Sequence, residues 1–586
     1  MIARKTQAAL LVSVLVQLAC ASARAENVIE HLPPNALGLL VAQDLEQVDA
    51  KVQQFCQMFS IEGVPSPLIF LNFATGLKEG LDGNGDVMLA LLPSEDLTSD
   101  PIPLLLLPVT DYAKFVAPIE GDASGEICRI TIAGEEVLVA RLGKFALLMN
   151  LEHRENMQQV LADEPGPVAA LKPLASWIDG TDLLAIIMPE GVKQLTALGR
   201  QAMAAEIEQL QAGADNDELD EFTKPAAQIM DMYDGILKAC GSEVELAGLG
   251  VSFDKEKGMR VTQRVLLSEQ SELARLPAVA APERSPLADY QDQSIVAGGG
   301  GPLPAEWASQ ASAFVYQFMK ENPGIYGLEG LDEQQWKKAQ ESWQGTIDGL
   351  RSVSWVVLPG TDDEPVYSNF YSVMKVENSQ EYLETYKQAV ESWNEVMAQS
   401  TSDMQFHYDL EETTVGDAQG LLLSMDLLKM MGPQEHAMVQ QMMKAMFGGD
   451  GKMRVYLLKI DEDRILAGVA SEVAMAKVLK FIEGKESRLT QNSHIQTTLG
   501  QLDQEAQWMG VVRPQGVMQW FERMMNIAMQ QFGGGMGMPQ FAEYPDAPPA
   551  GFSLKLEEAL ISGDVVWPTE GLNELAKFIK AMEDAN

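Results

Sequence analysis

Gly85-Asp86-Val87-Met88-Leu89-Ala90-Leu91-Leu92-Pro93 reads as a short apolar strand closed by proline, and the chain repeats that design in Arg351-Ser352-Val353-Ser354-Trp355-Val356-Val357-Leu358-Pro359. An acidic turn follows each, Ser94-Glu95-Asp96 or Gly360-Thr361-Asp362-Asp363, and then a second strand, Ile102 to Val109 or Asn369 to Val376. A helix start comes next, with Asp111 or Asn378 placed to cap it and the pairs Phe115-Val116 and Tyr382-Leu383 at matching helical positions.

The correspondence continues outward in one order. Val137 to Leu151 is a hairpin turning at Gly143-Lys144, and Arg454 to Ala470 is a hairpin turning at Asp461-Glu462-Asp463. Helices follow, with Met157, Val160 and Leu161 opposite Met475, Val478 and Leu479. Leu183 to Met188 leads into Pro189-Glu190-Gly191-Val192 and a helix, as Trp508 to Arg513 leads into Pro514-Gln515-Gly516-Val517. Gly250-Val251-Ser252-Phe253 and Gly551-Phe552-Ser553-Leu554 each open a last hairpin, followed by helices starting at Ser268 and Thr569. Matched elements in one order are the signature of an internal repeat. The expected fold is α+β: two tandem diverged copies of a module whose mainly antiparallel or mixed sheet is covered by helices. The expected boundaries are a leader at 1–25, a first module at 26–275, a Pro-rich linker at 276–290 and a second module at 291–586. The second module carries a Met-rich insertion at 425–452 with no counterpart in the first.

A chain of 586 residues is too long for one ordinary core, and 46% hydrophobic with 22% charged residues is a globular composition. The opening has secretory form: Arg4-Lys5, an apolar run from Ala8 to Ala21, then Ala23-Arg24-Ala25. The run is short for a membrane span, and cleavage after Ala25 is expected, with lipid attachment at Cys20 the alternative. The product is expected to be periplasmic or secreted, without a membrane span. The formal net charge of −42 argues against nucleic-acid partners and anionic membranes. Cys56, Cys128 and Cys240 all lie in the first half, so at most one disulfide can form and packing must hold both halves.

The run Leu32-Pro33-Pro34-Asn35-Ala36, with Leu39-Leu40-Val41-Ala42 and Asp44-Leu45, resembles the opening of certain large exported bacterial proteins of unknown function. That resemblance implies a bacterial envelope setting and brings no activity or site residues.

Gly298-Gly299-Gly300-Gly301 stands between a possible strand and a helix, but it lacks dinucleotide spacing and a P-loop lysine, and is read as a flexible turn. Asp82-Gly83-Asn84-Gly85-Asp86 alternates oxygen donors, yet Val87 and Pro93 occupy calcium-loop positions that need glycine and glutamate, so a turn is expected. His31, His153, His407, His436 and His494 include no helical ligand pair, and no H-E-x-x-H or G-x-S-x-G is present. No catalytic residue and no cofactor is assigned. Methionine is abundant, 31 in all. One cluster holds Met425, Met430, Met431, Met438, Met442, Met443 and Met446; another holds Met518, Met524, Met525, Met529, Met536 and Met538. Met438, Met442 and Met446 recur along one helical face near His436, a set that soft Cu(I) could use. Met430, Met431, Met438 and Met442 could equally form an adaptable surface for a protein partner, or ordinary packing. The expectation is an exported, non-catalytic protein with a binding or structural role. A copper buffer and a hydrolase with a site between the modules are the alternatives.

Overall fold

The computed structural model describes residues 27–59, 66, 68, 80–94, 100–116, 125–132, 135–163, 168–212, 233–238, 240–271, 273–277, 279–321, 323, 328, 330–361, 364–400, 407–427, 440, 444–448, 450–484, 487–531 and 544–585. The protein is mixed α/β, and the strand pairings among these residues are antiparallel. The chain divides into two compact units. One comprises the chain to Gln57, Ile61–Gln194 and Leu246–Ser252; the other comprises Met58–Ser60, Leu195–Glu245 and Phe253–Asn586.

In the first unit the strands are β1 (Gly38–Ala42), β2 (Val87–Leu92), β3 (Ile102–Pro108), β4 (Ile127–Ile132), β5 (Glu135–Leu142), β6 (Phe145–Asn150), β7 (Leu183–Ile187) and β8 (Val244–Asp254). They pair in the order β4-β5-β6-β3-β2-β1-β7-β8. The helices α1 (Leu45–Met58), α2 (Tyr112–Val116), α3 (Arg154–Ala162) and α4 (Ala175–Asp179) interleave with them, and α5 (Pro189–Ala212) starts in this unit and continues as part of the other from Leu195. Period-two burial decides what packs where. Met88, Ala90, Leu104, Leu106, Leu184 and Ile186 are each 3% exposed or less. On the opposite face Phe115 and Val116 of α2 close a cluster with Leu107, Cys128 and Val139 at one end of the sheet. The β1, β2, β7 and β8 positions on that face stay open, Leu40 being 52% and Leu249 42% exposed.

The second unit has β9 (Gly258–Leu267), β10 (Ala297–Pro302), β11 (Leu350–Val357), β12 (Phe370–Val376), β13 (Tyr408–Val415), β14 (Ala418–Asp426), β15 (Lys452–Lys459), β16 (Arg464–Val469), β17 (Trp508–Val512), β18 (Ala550–Glu557) and β19 (Leu560–Trp567). Their order is β13-β14-β15-β16-β12-β11-β10-β17-β18-β19-β9. The helices are α6 (Ala305–Glu321), α7 (Glu333–Asp348), α8 (Ser379–Met397), α9 (Glu472–Glu483), α10 (Ser493–Leu499), α11 (Pro514–Gln531) and α12 (Thr569–Ala585). The main core joins Tyr290, Val356, Tyr371 and Val373 to Met475 and Leu479 of α9 and Ile495 of α10. On the other face Tyr382 and Leu383 of α8 pack on Val376, Leu457 and Ile465.

Three local expectations change. The tetraglycine is strand β10, buried and hydrogen-bonded on both sides, rather than a turn. A Cβ on Gly298 or Gly300 would lie 3.0 Å from Leu287 or Pro286, so those glycines let a short helical segment sit directly on the strand. At Ser268 there is no α-helix: a turn and the one-turn helix Leu273–Arg275 follow β9. The helix α7 and the strands β4, β13 and β14 were not anticipated; α7 is polar on its outer side and β13 is rich in acids, which hides a strand from a hydrophobicity reading. The caps behave as read: Asn378 accepts from the Glu381 amide at 2.9 Å, and Asp111 from those of Ala113 and Lys114 at 3.1 and 3.2 Å. Asp82–Asp86 is a turn, with the Asp82 carboxylate accepting from the Asn84 amide at 3.2 Å.

The helix after β17 begins at Pro514 and passes so close to the chain entering β10 that a Cβ on Gly516 would lie 1.9 Å from the Ile295 carbonyl oxygen. Gly191 stands in the same relation to Leu37, at 1.8 Å. Backbone cannot yield there as a side chain would. Gly516→Ala is therefore expected to cost about 1–3 kcal/mol through overpacking, seen as a lower urea midpoint, whereas Gly563→Ala, whose Cβ meets nothing nearer than 3.7 Å, should change it little.

Candidate functional site

Most of the residues singled out for metal or partner binding, Met430, Met431, His436, Met438 and Met442, lie outside the described residues. Met446 is described: its carbonyl accepts from the Tyr367 amide at 2.9 Å, and the adjacent Phe447 ring stacks on Tyr367 at 5.4 Å. Met425 faces Met453 across β14 and β15, so the insertion spans the gap between two paired strands. Met518, Met524 and Met525 are half-buried on α11. Among the described residues no group of three or more His, Cys, Asp or Glu side chains is placed to hold a metal ion. Cys56, Cys128 and Cys240 are free thiols.

A cleft lies elsewhere, at the ends of β11 and β12 in the second unit. It is a cleft of about 330 Å³ lined by Tyr290, Leu358, Glu364, Asn369, Tyr371 and Lys477, among others. That volume suits a small organic molecule. Its floor is apolar, from Val356, Leu358, Val478 and Phe481; its rim is polar, from Gln293, Thr361, Glu364, Ser471 and Lys477.

The walls are held by hydrogen bonds that leave them little freedom. Tyr290 is buried; its hydroxyl donates to the Ser354 carbonyl at 2.7 Å and accepts from the Val373 amide at 3.1 Å. It thereby bolts the entering chain to β11 and β12. The Tyr371 hydroxyl donates to Asn369 Oδ1 at 2.8 Å, and Asn369 Nδ2 donates to Glu364 Oε2 at 2.7 Å. The same carboxylate oxygen accepts from the Thr361 amide at 2.9 Å. Asn369 holds φ at +67°, a left-handed conformation that asparagine tolerates better than most residues. Behind the loop Arg523 of α11, 4% exposed, donates to the carbonyls of Pro359 and Pro365 at 2.9 Å each, and to that of Glu364. Gly360, at φ +72°, leaves room for the guanidinium: a Cβ there would lie 2.1 Å from it. A charged donor on three carbonyls fixes a loop that has no ladder of its own.

Burial pushes the hydroxyls of Tyr290 and Tyr371 well above the ordinary tyrosine range. Both stay neutral at physiological pH, their protons engaged by Ser354 and Asn369, so the cleft itself presents one carboxylate, Glu364, and one ammonium, Lys477, around an apolar floor. That arrangement can hold and orient a molecule. No nucleophile hydrogen-bonded to a base is formed among its described residues.

Other charge clusters are structural. Lys555 lies within 2.6–3.8 Å of Glu557, Glu505 and Asp503. Asp564, 6% exposed, is neutralised across β19 and β9 by Arg264 at 2.9 Å and Arg260 at 3.4 Å. None of Tyr290, Asn369, Tyr371 or Arg523 was singled out from the sequence. The one signal available was Arg523, a charge that shares its helix turn with Trp520, Met524 and Met525 as well as Glu522.

Compared with protein-family models, curated proteins and solved structures, the chain matches none of them.

Removing the Arg523 side chain leaves buried carbonyls without a donor. Arg523→Gln should cost about 2–3 kcal/mol and expose the 359–365 loop to limited proteolysis while cleavage elsewhere stays at the native rate. The buried tyrosines set an alkaline limit. Their raised folded-state values mean that stability is intact below the unfolded tyrosine value of about 10 and declines as pH climbs past it. Urea midpoints from pH 8 to 11 should fall above pH 10, and Tyr371→Phe should make the fall shallower.

Proposed function

We propose that this chain is an exported, non-catalytic binding protein built from two diverged copies of one α+β module, which holds a small ligand in the Tyr290–Tyr371 cleft of the second copy. The observation that carries the binding role is the built wall: Arg523 and Asn369 spend buried hydrogen bonds on a surface loop, and Tyr290 on the adjoining strands β11 and β12, all lining or backing an open cleft. Preorganisation of that kind lowers the ordering cost of binding.

The duplication, with modules at 26–275 and 291–586, is supported by register as well as by order. In the first unit Gly38 pairs with Leu91 and Ile187, each two residues before a proline. In the second, Ala297 pairs with Val357 and Val512, again each two residues before a proline. The Met188 amide donates to the Leu37 carbonyl, and the Arg513 amide to that of Val296, both at 2.9 Å. The strand order β4-β5-β6-β3-β2-β1-β7-β8 has its counterpart in β14-β15-β16-β12-β11-β10-β17-β18. Export to the periplasm or beyond rests on the leader pattern through Ala25 and on the envelope resemblance of the opening. Among the described residues no helix is long and apolar enough to cross a membrane.

The test is to purify the protein from its native source, read its N-terminus by intact mass, and analyse by mass spectrometry what denaturation releases. An N-terminus at Glu26 and a released compound at near-stoichiometric amount are expected. Ala474→Trp, which fills the cleft from α9, should abolish the release while leaving the circular dichroism unchanged. An uncleaved leader would overturn export; equal release from the filled variant would overturn the cleft.

A further inference from the structure

Two elements bring one charge each to the Tyr290–Tyr371 cleft. The loop after β11 supplies Glu364, and α9 supplies Lys477, one turn beyond Val473. The Glu364 side chain is held by one oxygen only. Its Oε2 accepts from the Thr361 amide at 2.9 Å and from Asn369 Nδ2 at 2.7 Å, and no described group donates to Oε1. Two neutral donors fix the carboxylate without cancelling its charge. Arg523 is hydrogen-bonded to carbonyls of the loop, that of Glu364 included, rather than to this carboxylate. Lys477 is exposed and makes no ion pair among the described residues.

The rest of the cleft is closed to strong polar contacts. The Tyr290 and Tyr371 protons are spent on Ser354 and Asn369 within the wall. The floor is hydrocarbon, from Val356, Leu358, Val478 and Phe481, and the guanidinium of Arg488 already lies over the Phe481 ring at 4.7 Å. A volume of about 330 Å³ limits the occupant to a small molecule.

We infer that the cleft binds an apolar α-amino acid, either free or as a short peptide with both ends unblocked. The inference rests on the reading of this cleft as the binding site. A cationic ammonium answers Oε1 of Glu364, an anionic carboxylate answers Lys477, and an aliphatic side chain covers the floor. The alternatives each leave one feature unmatched. A simple carboxylate sets its charge against Glu364, and a simple amine sets its charge against Lys477. A phosphate ester meets a single ammonium and a repelling carboxylate. A sugar would lay hydroxyl groups on a hydrocarbon floor that returns no hydrogen bonds.

The experiment is calorimetric titration of the exhaustively dialysed full chain with L-leucine and with L-leucyl-L-leucine. Isocaproate, which lacks the amine, and isoamylamine, which lacks the carboxylate, are the controls. At least one zwitterion should bind about tenfold or more tightly than either control, as loss of a charge-assisted hydrogen bond predicts. The tighter zwitterion identifies the source, free amino acid or peptide. Glu364→Gln keeps an oxygen for Thr361 and Asn369; it should weaken the zwitterion about tenfold and leave isocaproate no weaker. Lys477→Met, at an exposed position, should weaken the zwitterion similarly and leave isoamylamine no weaker. Absence of binding of both zwitterions to the wild type overturns the inference, as does binding that both variants retain. Ala474→Trp separates that failure from failure of the cleft. If the variant loses the compound that the native protein releases, yet neither zwitterion binds the wild type, the cleft stands and the ligand class falls. If the variant releases as much as the wild type, cleft and ligand class fall together.

Discussion

One short strand inside each sheet, β1 or β10, is hydrogen-bonded on both sides, and the rest of each sheet hangs on it. β1 lies between β2 and β7, and β10 between β11 and β17. A strand in that position must accept neighbours on two edges and two faces at once. β10 meets the demand by giving up side chains: Gly298 and Gly300 admit Leu287 and Pro286 on one face, Gly299 and Gly301 admit Phe552 and Trp508 on the other. Glycine in a strand interior is entropically costly, and here the close approach of four neighbours is what offsets it. β1 meets the same demand with Leu39 and Val41 turned into the core.

From that centre the helices take their places by contact with backbone, not only with side chains. Gly516 and Gly191 let α11 and α5 start hard against the carbonyl just ahead of the central strand. α11 then carries Arg523 to the loop after β11, and the loop becomes one wall of the cleft. The cleft is thus an indirect consequence of a glycine contact at the other end of the helix. Its rigidity comes from a charged donor whose burial is tolerable because carbonyl oxygens surround it.

The acidity of the chain and its apolar sheet faces are opposite solutions to one problem. A charge of −42 works against the close approach of two copies, while Phe370, Leu554 and Val565 stay half-exposed on the sheet. Where charge enters the sheet it is matched locally, as at Asp564 between Arg260 and Arg264.

The sequence by itself determined the local elements with period-two or period-3.6 patterning and clear punctuation. The proline-closed strands, the caps at Asp111 and Asn378, the hairpin turns and the helix starts at Pro189 and Pro514 are all of that kind, because each is set by residues adjacent in the chain. It also determined the mixed α/β character with antiparallel strands, through alternating hairpins and helices. It misjudged the tetraglycine, since glycine alone signals a turn and only the rings of Phe552 and Trp508, more than two hundred residues away, make it a strand. The cleft was illegible for the same reason: Tyr290, Asn369, Tyr371 and Arg523 are ordinary residues in sequence, and their meaning comes from hydrogen bonds across separations of up to 164 positions. Which face of each sheet is covered was also decided by tertiary structure alone, because alternation declares that a strand has two faces and says nothing of which neighbour reaches them.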